Sequence, residues 1–208
     1  MEKKLNKIMF NDKYGLTKAV LEGRKTQARR AIKLKDGEYV KVVALDNGSF
    51  MSYVAKDGNP TAHVGALDML NYVRPLTPKY FIGEEVAVAQ PYNDTWQHTG
   101  YMTAFEAKHC PGYNNKMFVK AEKMPHRIKI TNIRIERLQD ISEEDALNEG
   151  LGWMHGFFYV NYNKETGSRM NLGKDYRNAF ATLIDNVSGK GTWQSNPYVF
   201  VYDFELIR

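Results

Sequence analysis

The chain has 208 residues, with 29 Lys and Arg against 24 Asp and Glu and a formal net charge of +5. At 43% apolar and 25% charged, its composition is that of ordinary globular proteins and excludes disorder throughout. The longest unbroken apolar run, Tyr198 to Tyr202, is far shorter than the roughly 20 residues of a membrane span. No signal-peptide-like stretch follows Met1-Glu2-Lys3-Lys4, so a cytoplasmic protein without membrane contact is expected. The single cysteine, Cys110, excludes an intramolecular disulfide and a zinc site of several cysteines.

Leu5, Ile8 and Phe10 suggest a first strand. Leu16, Val20 and Leu21 have helical spacing, and Gly23 is a natural stop, so a short helix is expected over 15–22. The segments 39–44 and 50–54 flank Asp46-Asn47-Gly48, a strong hairpin signal. A helix is expected over 62–73 and a short buried strand over 86–89. The segment 91–116, rich in Tyr, Asn, His and Gly, lacks periodicity and reads as a long loop. In 126–138 the isoleucines alternate at 128 and 130, then at 133 and 135. A β-bulge at Thr131–Asn132 would keep all four on one face. Ser142 followed by Glu143, Glu144 and Asp145 resembles a helix N-cap with acids in the first turn, ending at Gly150. Residues 151–173 read as a loop or hairpin, 176–187 as an amphipathic helix stopped by Gly189, and 198–207 as a long strand. The pattern predicts a single α+β domain, with strands at both ends suited to a closed or nearly closed barrel.

The charge is unevenly placed. Residues 1–35 hold eleven Lys and Arg against three Asp and Glu, a balance of +8, and the remainder carries −3. Arg24, Lys25, Arg29 and Arg30 place four cations within seven residues, with Thr26 and Gln27 among them. In a strand, Lys25, Gln27 and Arg29 share one face, and Arg24, Thr26, Ala28 and Arg30 the other. Guanidinium groups clamp phosphate or carboxylate with paired hydrogen bonds, so the run is a candidate anion-binding surface. Residues 140–149 hold five acids and no base, ending at Glu149. An acid there set beside Lys25 would hold the lysine charged or poise it for proton transfer. Tyr92 and Trp96 supply aromatic faces of the kind that stack on bases. Gly23-Arg24-Lys25-Thr26 lacks the upstream glycine of a phosphate-binding loop, and no G-x-S-x-G occurs. His98, His109 and Cys110 lack a supporting carboxylate or second close-spaced pair, so no metal and no cofactor is expected.

The stretch Leu21-Glu22-Gly23-Arg24-Lys25-Thr26-Gln27-Ala28-Arg29-Arg30 resembles the motif of the ASCH domain family, particularly its phage-associated members, which read L-x-G-R-K-T-Q-T-R-R. The match continues at Met124-Pro125, at Ile133 to Ile141, at Asp145-Ala146, at Glu149-Gly150, and at Trp193 with Asn196-Pro197. The resemblance implies a PUA-like fold, a small β-barrel flanked by short helices, here a single domain over 1–208 with insertions at about 36–80 and 91–120. It also implies a cleft near the Gly-Arg-Lys-Thr turn that takes RNA or nucleotide-like ligands. One bacterial branch removes the acyl group of N4-acetylcytidine with a lysine, a threonine three residues later, and a glutamate. By motif the lysine is Lys25 and the glutamate Glu149, and Ala28 occupies the threonine position. A nucleophilic amidohydrolase needs that hydroxyl. The leading expectation is therefore binding of RNA or a modified nucleoside through Arg24, Lys25, Thr26, Gln27, Arg29, Arg30 and Trp96. Amidohydrolysis by Lys25 and Glu149 is the alternative, and an accessory role in a phage or mobile element is a third.

Overall fold

The computed structural model describes residues 5–44, 50–56, 72–99, 109–161 and 168–207, with side chains except at 42–44, 50, 51, 72, 73 and 96–99. The chain divides into two compact units, residues 1–30 with 80–208, and residues 31–79.

In the larger unit, β1 (Asn6–Ile8), β6 (Glu85–Val88), β7 (Arg127–Arg137), β11 (Tyr198–Ile207) and β2 (Gln27–Ala31) form one sheet in that order. β1 runs parallel to β6, whereas β6–β7 and β7–β11 are antiparallel. The pairings among the described residues run from β1 to β2 without closing. The class is α+β, with mixed sheets and short helices, as the sequence led us to expect.

The slipped isoleucine pattern is a bulge. Asp203 pairs with Asn132 and Phe204 with Ile130, so Thr131 is passed over. Partners opposite one another share a face. Ile128, Ile130, Phe204 and Tyr202 therefore lie with Ile133 and Ile135 on one side of the sheet. There Ile128 and Ile130 are fully buried, and the Tyr80 and Tyr202 rings meet edge to face at 5.4 Å. Arg134, Glu136 and Asp203 are turned to the other side. Farther along that side, Ala87 and Ala89 are covered by Tyr92, Val119, Ala121 and Met124.

Helix α1 (Leu16–Leu21) buries Leu16, Ala19 and Val20, and Gly23 ends it at φ +73°. α3 (Glu143–Asn148) is capped by Ser142, whose hydroxyl accepts from the Asp145 amide at 3.1 Å. α4 (Tyr176–Ser188) begins at Asp175, whose carboxylate accepts from the Asn178 amide, and stops at Gly189. α5 (Thr192–Ser195) leads into β11. Residues 152–173 form a meander of β8 (Gly152–Met154), β9 (Phe157–Asn161) and β10 (Arg169–Gly173). His155 and Gly156 both have positive φ and join β8 to β9, the twist that a two-residue hairpin turn requires.

Two expectations are corrected. The stretch 91–116 is not all loop, because Tyr92–Thr99 is a helix, α2. Its buried anchors are Tyr92 and Thr95, three apart, and threonine does not register in an apolar pattern. Pro91 precedes the helix, where a missing N–H costs nothing, and its carbonyl accepts from the Asp94 amide. The helix expected over 62–73 falls mostly outside the described residues. Its end does not, and Tyr72 and Val73 open strand β5 (Tyr72–Pro75), as β-branched and aromatic residues favour.

In the smaller unit, β3 (Glu38–Ala44) pairs antiparallel with β4 (Phe50–Lys56), and β4 with β5. This is the expected hairpin, with Val40 opposite Val54. Its Asp46-Asn47-Gly48 turn lies outside the described residues.

Candidate functional site

The basic run leaves α1 through a turn in which the Arg24 and Lys25 amides both donate to the Ala19 carbonyl. The Thr26 amide then donates to Asn148 O at 2.9 Å, tying the run to the end of α3. The Thr26 carbonyl accepts from the Phe204 amide at 2.8 Å, which starts β2 beside β11. Glu149 caps α3, its amide donating to Asp145 O at 2.8 Å. These backbone ties set Lys25 against Glu149 and let β2 turn Gln27 and Arg29 toward Asp145, Glu136 and Asp203.

The result is a buried ion network. Lys25 Nζ donates to Glu149 Oε2 at 2.5 Å and to Glu149 O at 2.7 Å. Arg29 donates to Glu149 Oε1 at 3.2 Å, to Asp145 Oδ2 at 2.9 Å, to Glu136 Oε1 at 2.7 Å, and to Gln27 Oε1. Gln27 Nε2 donates to Asp145 Oδ1 at 2.8 Å and Asp203 Oδ1 at 2.7 Å. Arg134 closes the far end on Asp203, Asp145 and Glu136. Three cations thus meet four carboxylates.

The proton affinities follow from this setting. Burial lowers the Lys25 pKa, and the Glu149 carboxylate only partly opposes it. Burial by itself would raise the Asp145 pKa. The hydrogen bond from Gln27 and the charges of Arg29 and Arg134 outweigh it and hold Asp145 below the usual carboxylate range.

The sequence-expected residues separate into an inner and an outer set. Lys25, Gln27, Arg29 and Glu149 are buried together. Thr26 is half-buried and is tied through its backbone. Ala28 is 1% exposed and alternates with Gln27 and Arg29, so its methyl lies on the other face of β2. Arg30 is half-buried, donates to Met9 O at 2.8 Å and stands 5.8 Å from the Phe10 ring. Arg24 is exposed and held by Glu22 through bonds of 2.6 and 2.9 Å. Trp96 belongs to α2, but its side chain lies outside the described residues. The inner cations therefore present little positive surface.

An open cavity of about 550 Å³ lies next to the run on its outer side. Asp12, Gly15, Thr17, Lys18, Glu22 and Arg24 supply its α1 wall, Gln90 and Asp94 its floor near α2, and Tyr159, Asn161 and Arg169 its β9–β10 wall. The lining acids Asp12, Glu22 and Asp94 match the bases Lys18, Arg24 and Arg169 in number. The Arg169 guanidinium lies 4.9 Å from the Tyr159 ring centroid. Gly15 permits the close approach of the two walls. It has φ +63°, and a β-carbon there would stand 2.7 Å from the Asn161 carbonyl oxygen.

Sequence reasoning missed this wall because 151–173 showed only glycine and aromatic content. It missed Glu136 as a partner of Arg29, and Arg134 as the cation that shares Glu136 and Asp145 with it, although the bulge was the signal that turns both to that side. No protein-family model, curated protein or solved structure matches the chain.

Proposed function

We propose that the chain is a PUA-like module of the ASCH type that binds a nucleoside, free or within RNA, in the cavity lined by α1 and the β9–β10 wall. In this reading the β1-β6-β7-β11-β2 sheet is the core of the barrel, and the Lys25–Glu149–Arg29 network braces the motif turn from inside. The observation that carries the reading is the composition of the cavity. Its volume of about 550 Å³ is within the range of small-molecule sites. The Arg169 guanidinium, laid over the Tyr159 ring, offers a flat face for a base. Gln90, Asn161 and Asp94 are the donor and acceptor types that read a base edge. Balanced lining charges favour a neutral nucleoside over a free polyphosphate. Of the motif cations, Arg24 is the one that lines the cavity.

The test is calorimetric titration with cytidine, uridine, adenosine, guanosine and N4-acetylcytidine. At least one should bind, and Tyr159→Ala should weaken it about tenfold, the scale of one lost stacking contact. Absence of binding by all five would refute the reading.

A second reading, amidohydrolysis of N4-acetylcytidine, is favoured by the 2.5 Å Lys25–Glu149 contact and the lowered Lys25 pKa. Such a pair is suited to activate water. Release of cytidine from N4-acetylcytidine tests it, and a rate unchanged in Lys25→Ala would exclude the mechanism.

A further inference from the structure

Resting on the nucleoside-binding reading, we propose that the open face of the β8–β9–β10 sheet is a stacking platform for single-stranded RNA, along which a strand runs to the cavity. The pairings sort the sheet into two faces. Phe158, Val160 and Met170 share one, which is buried at Phe158 and Val160, and Leu172, passed over at the β9–β10 bulge, is buried as well. Met154, Phe157, Tyr159 and Asn161 share the other, with Arg169 and Asn171 across from them.

That second face is built unlike a solvated one. Met154 is 37% and Phe157 36% exposed, and Arg169 and Asn171 are exposed beside them. Phe157 and Tyr159 lie two apart on β9, about 6.6 Å along the strand, so the Phe157 ring and the Arg169 guanidinium over Tyr159 are spaced for one base each. A β-carbon at Gly152 would stand 2.3 Å from Tyr159 Cζ, so the tyrosine ring lies across the glycine, flat on the sheet. Each ring has a cation: Arg169 at 4.9 Å from Tyr159 and Lys174 Nζ at 5.4 Å from Phe157. Residues 151–161 and 168–174 contain no Asp or Glu. Aromatic faces alternating with cations, without acids, complement a strand of stacked bases with a phosphate backbone. Tyr159, Asn161 and Arg169 belong to both platform and cavity wall, so the two surfaces are continuous. The amides of Asn161 and Asn171 on the same face are the group type that reads a 2′-hydroxyl, which favours RNA over DNA.

The experiment compares the four ribonucleosides with a fluorescein-labelled ten-nucleotide RNA containing all four bases, followed by calorimetry and fluorescence anisotropy. The RNA should bind about tenfold or more tighter than the best nucleoside and weaken with added salt. Phe157→Ala should weaken RNA about tenfold and leave nucleoside binding unchanged, and Lys174→Gln should act the same way with a smaller salt slope. Trp153→Ala, on the opposite face of the sheet, should leave both unchanged. Thermal melts of each variant check folding, and Lys174→Gln carries the test if Phe157→Ala melts early. RNA binding no tighter than a nucleoside, or RNA affinity unaltered in Phe157→Ala and Lys174→Gln, overturns the platform and leaves the cavity reading standing. Equal affinity for the DNA of the same sequence overturns the RNA assignment. Failure of every nucleoside and of the RNA overturns both readings.

Discussion

The Lys25 ammonium lies 2.5 Å from Glu149 Oε2 although the two residues are 124 positions apart in the chain. Both side chains are almost fully withdrawn from solvent, at 3% and 9% exposure. Removing Glu149 strands the buried Lys25 charge, whereas removing Lys25 leaves Glu149 still paired with Arg29 at 3.2 Å. Glu149→Gln should destabilise by about 3–5 kcal/mol, Lys25→Met by less, and the double variant by less than their sum. Urea denaturation in a double-mutant cycle measures this, and additive losses would contradict the coupling.

The same pair gives a pH signature. Burial makes the folded chain hold the Lys25 proton less tightly than the unfolded chain, whose lysine titrates at its ordinary 10.5. The unfolded state then binds more protons, so stability rises with pH in the window below that value. Wild type minus Lys25→Met, compared by denaturation at neutral and alkaline pH, should show that rise as a difference.

Asp145 predicts a dependence of the same sign at the acid end. Its folded pKa is depressed by Gln27, Arg29 and Arg134 acting against burial. The stability this supplies is present above the unfolded carboxylate pKa, near 3.9, and is lost as pH falls through the folded value. Asp145→Asn should be less stable than wild type at neutral pH, with the gap closing under acid. A gap that stays constant down to pH ~2 would contradict the assignment.

Thr131 is the residue passed over in the β7–β11 pairing. Deleting it would leave strict alternation, with Ile128, Ile130, Ile133 and Ile135 still on one face and Arg134 and Glu136 still on the other. The deletion variant should therefore keep a cooperative melt within a few degrees of wild type. Loss of cooperative unfolding would show that the extra residue itself is needed to hold the register.

Gly15→Ala combines a positive φ with a β-carbon 2.7 Å from the Asn161 carbonyl. It should cost more than about 1 kcal/mol in stability and weaken nucleoside binding by moving the cavity walls apart. Unchanged stability and binding would mean that the approach of α1 to β9 is not needed.

Local signals in the sequence carried much of this fold. Helical spacing before Gly23, the serine cap before three acids, the phase slip among four isoleucines and the stop at Gly189 are all properties of neighbouring residues. Each dictates a backbone conformation whatever lies across the core. α2 and the β8–β10 meander were less legible. Their anchors are a threonine, glycines and aromatic side chains at spacings that match no single period.

The candidate site divides along the same line. Alternation alone put Lys25, Gln27 and Arg29 on one face, and the resemblance paired Lys25 with Glu149. Only the tertiary structure decided what that face meets. The carboxylates that surround it come from β7, α3 and β11, more than 100 positions away, and a charge is solvated or neutralised according to what packs on it. Packing therefore turned a basic run into an internal brace in which three cations meet four carboxylates. It left Arg24 at the rim of a cavity whose other wall, Tyr159, Asn161 and Arg169, stands beside it only because the meander folds back onto α1.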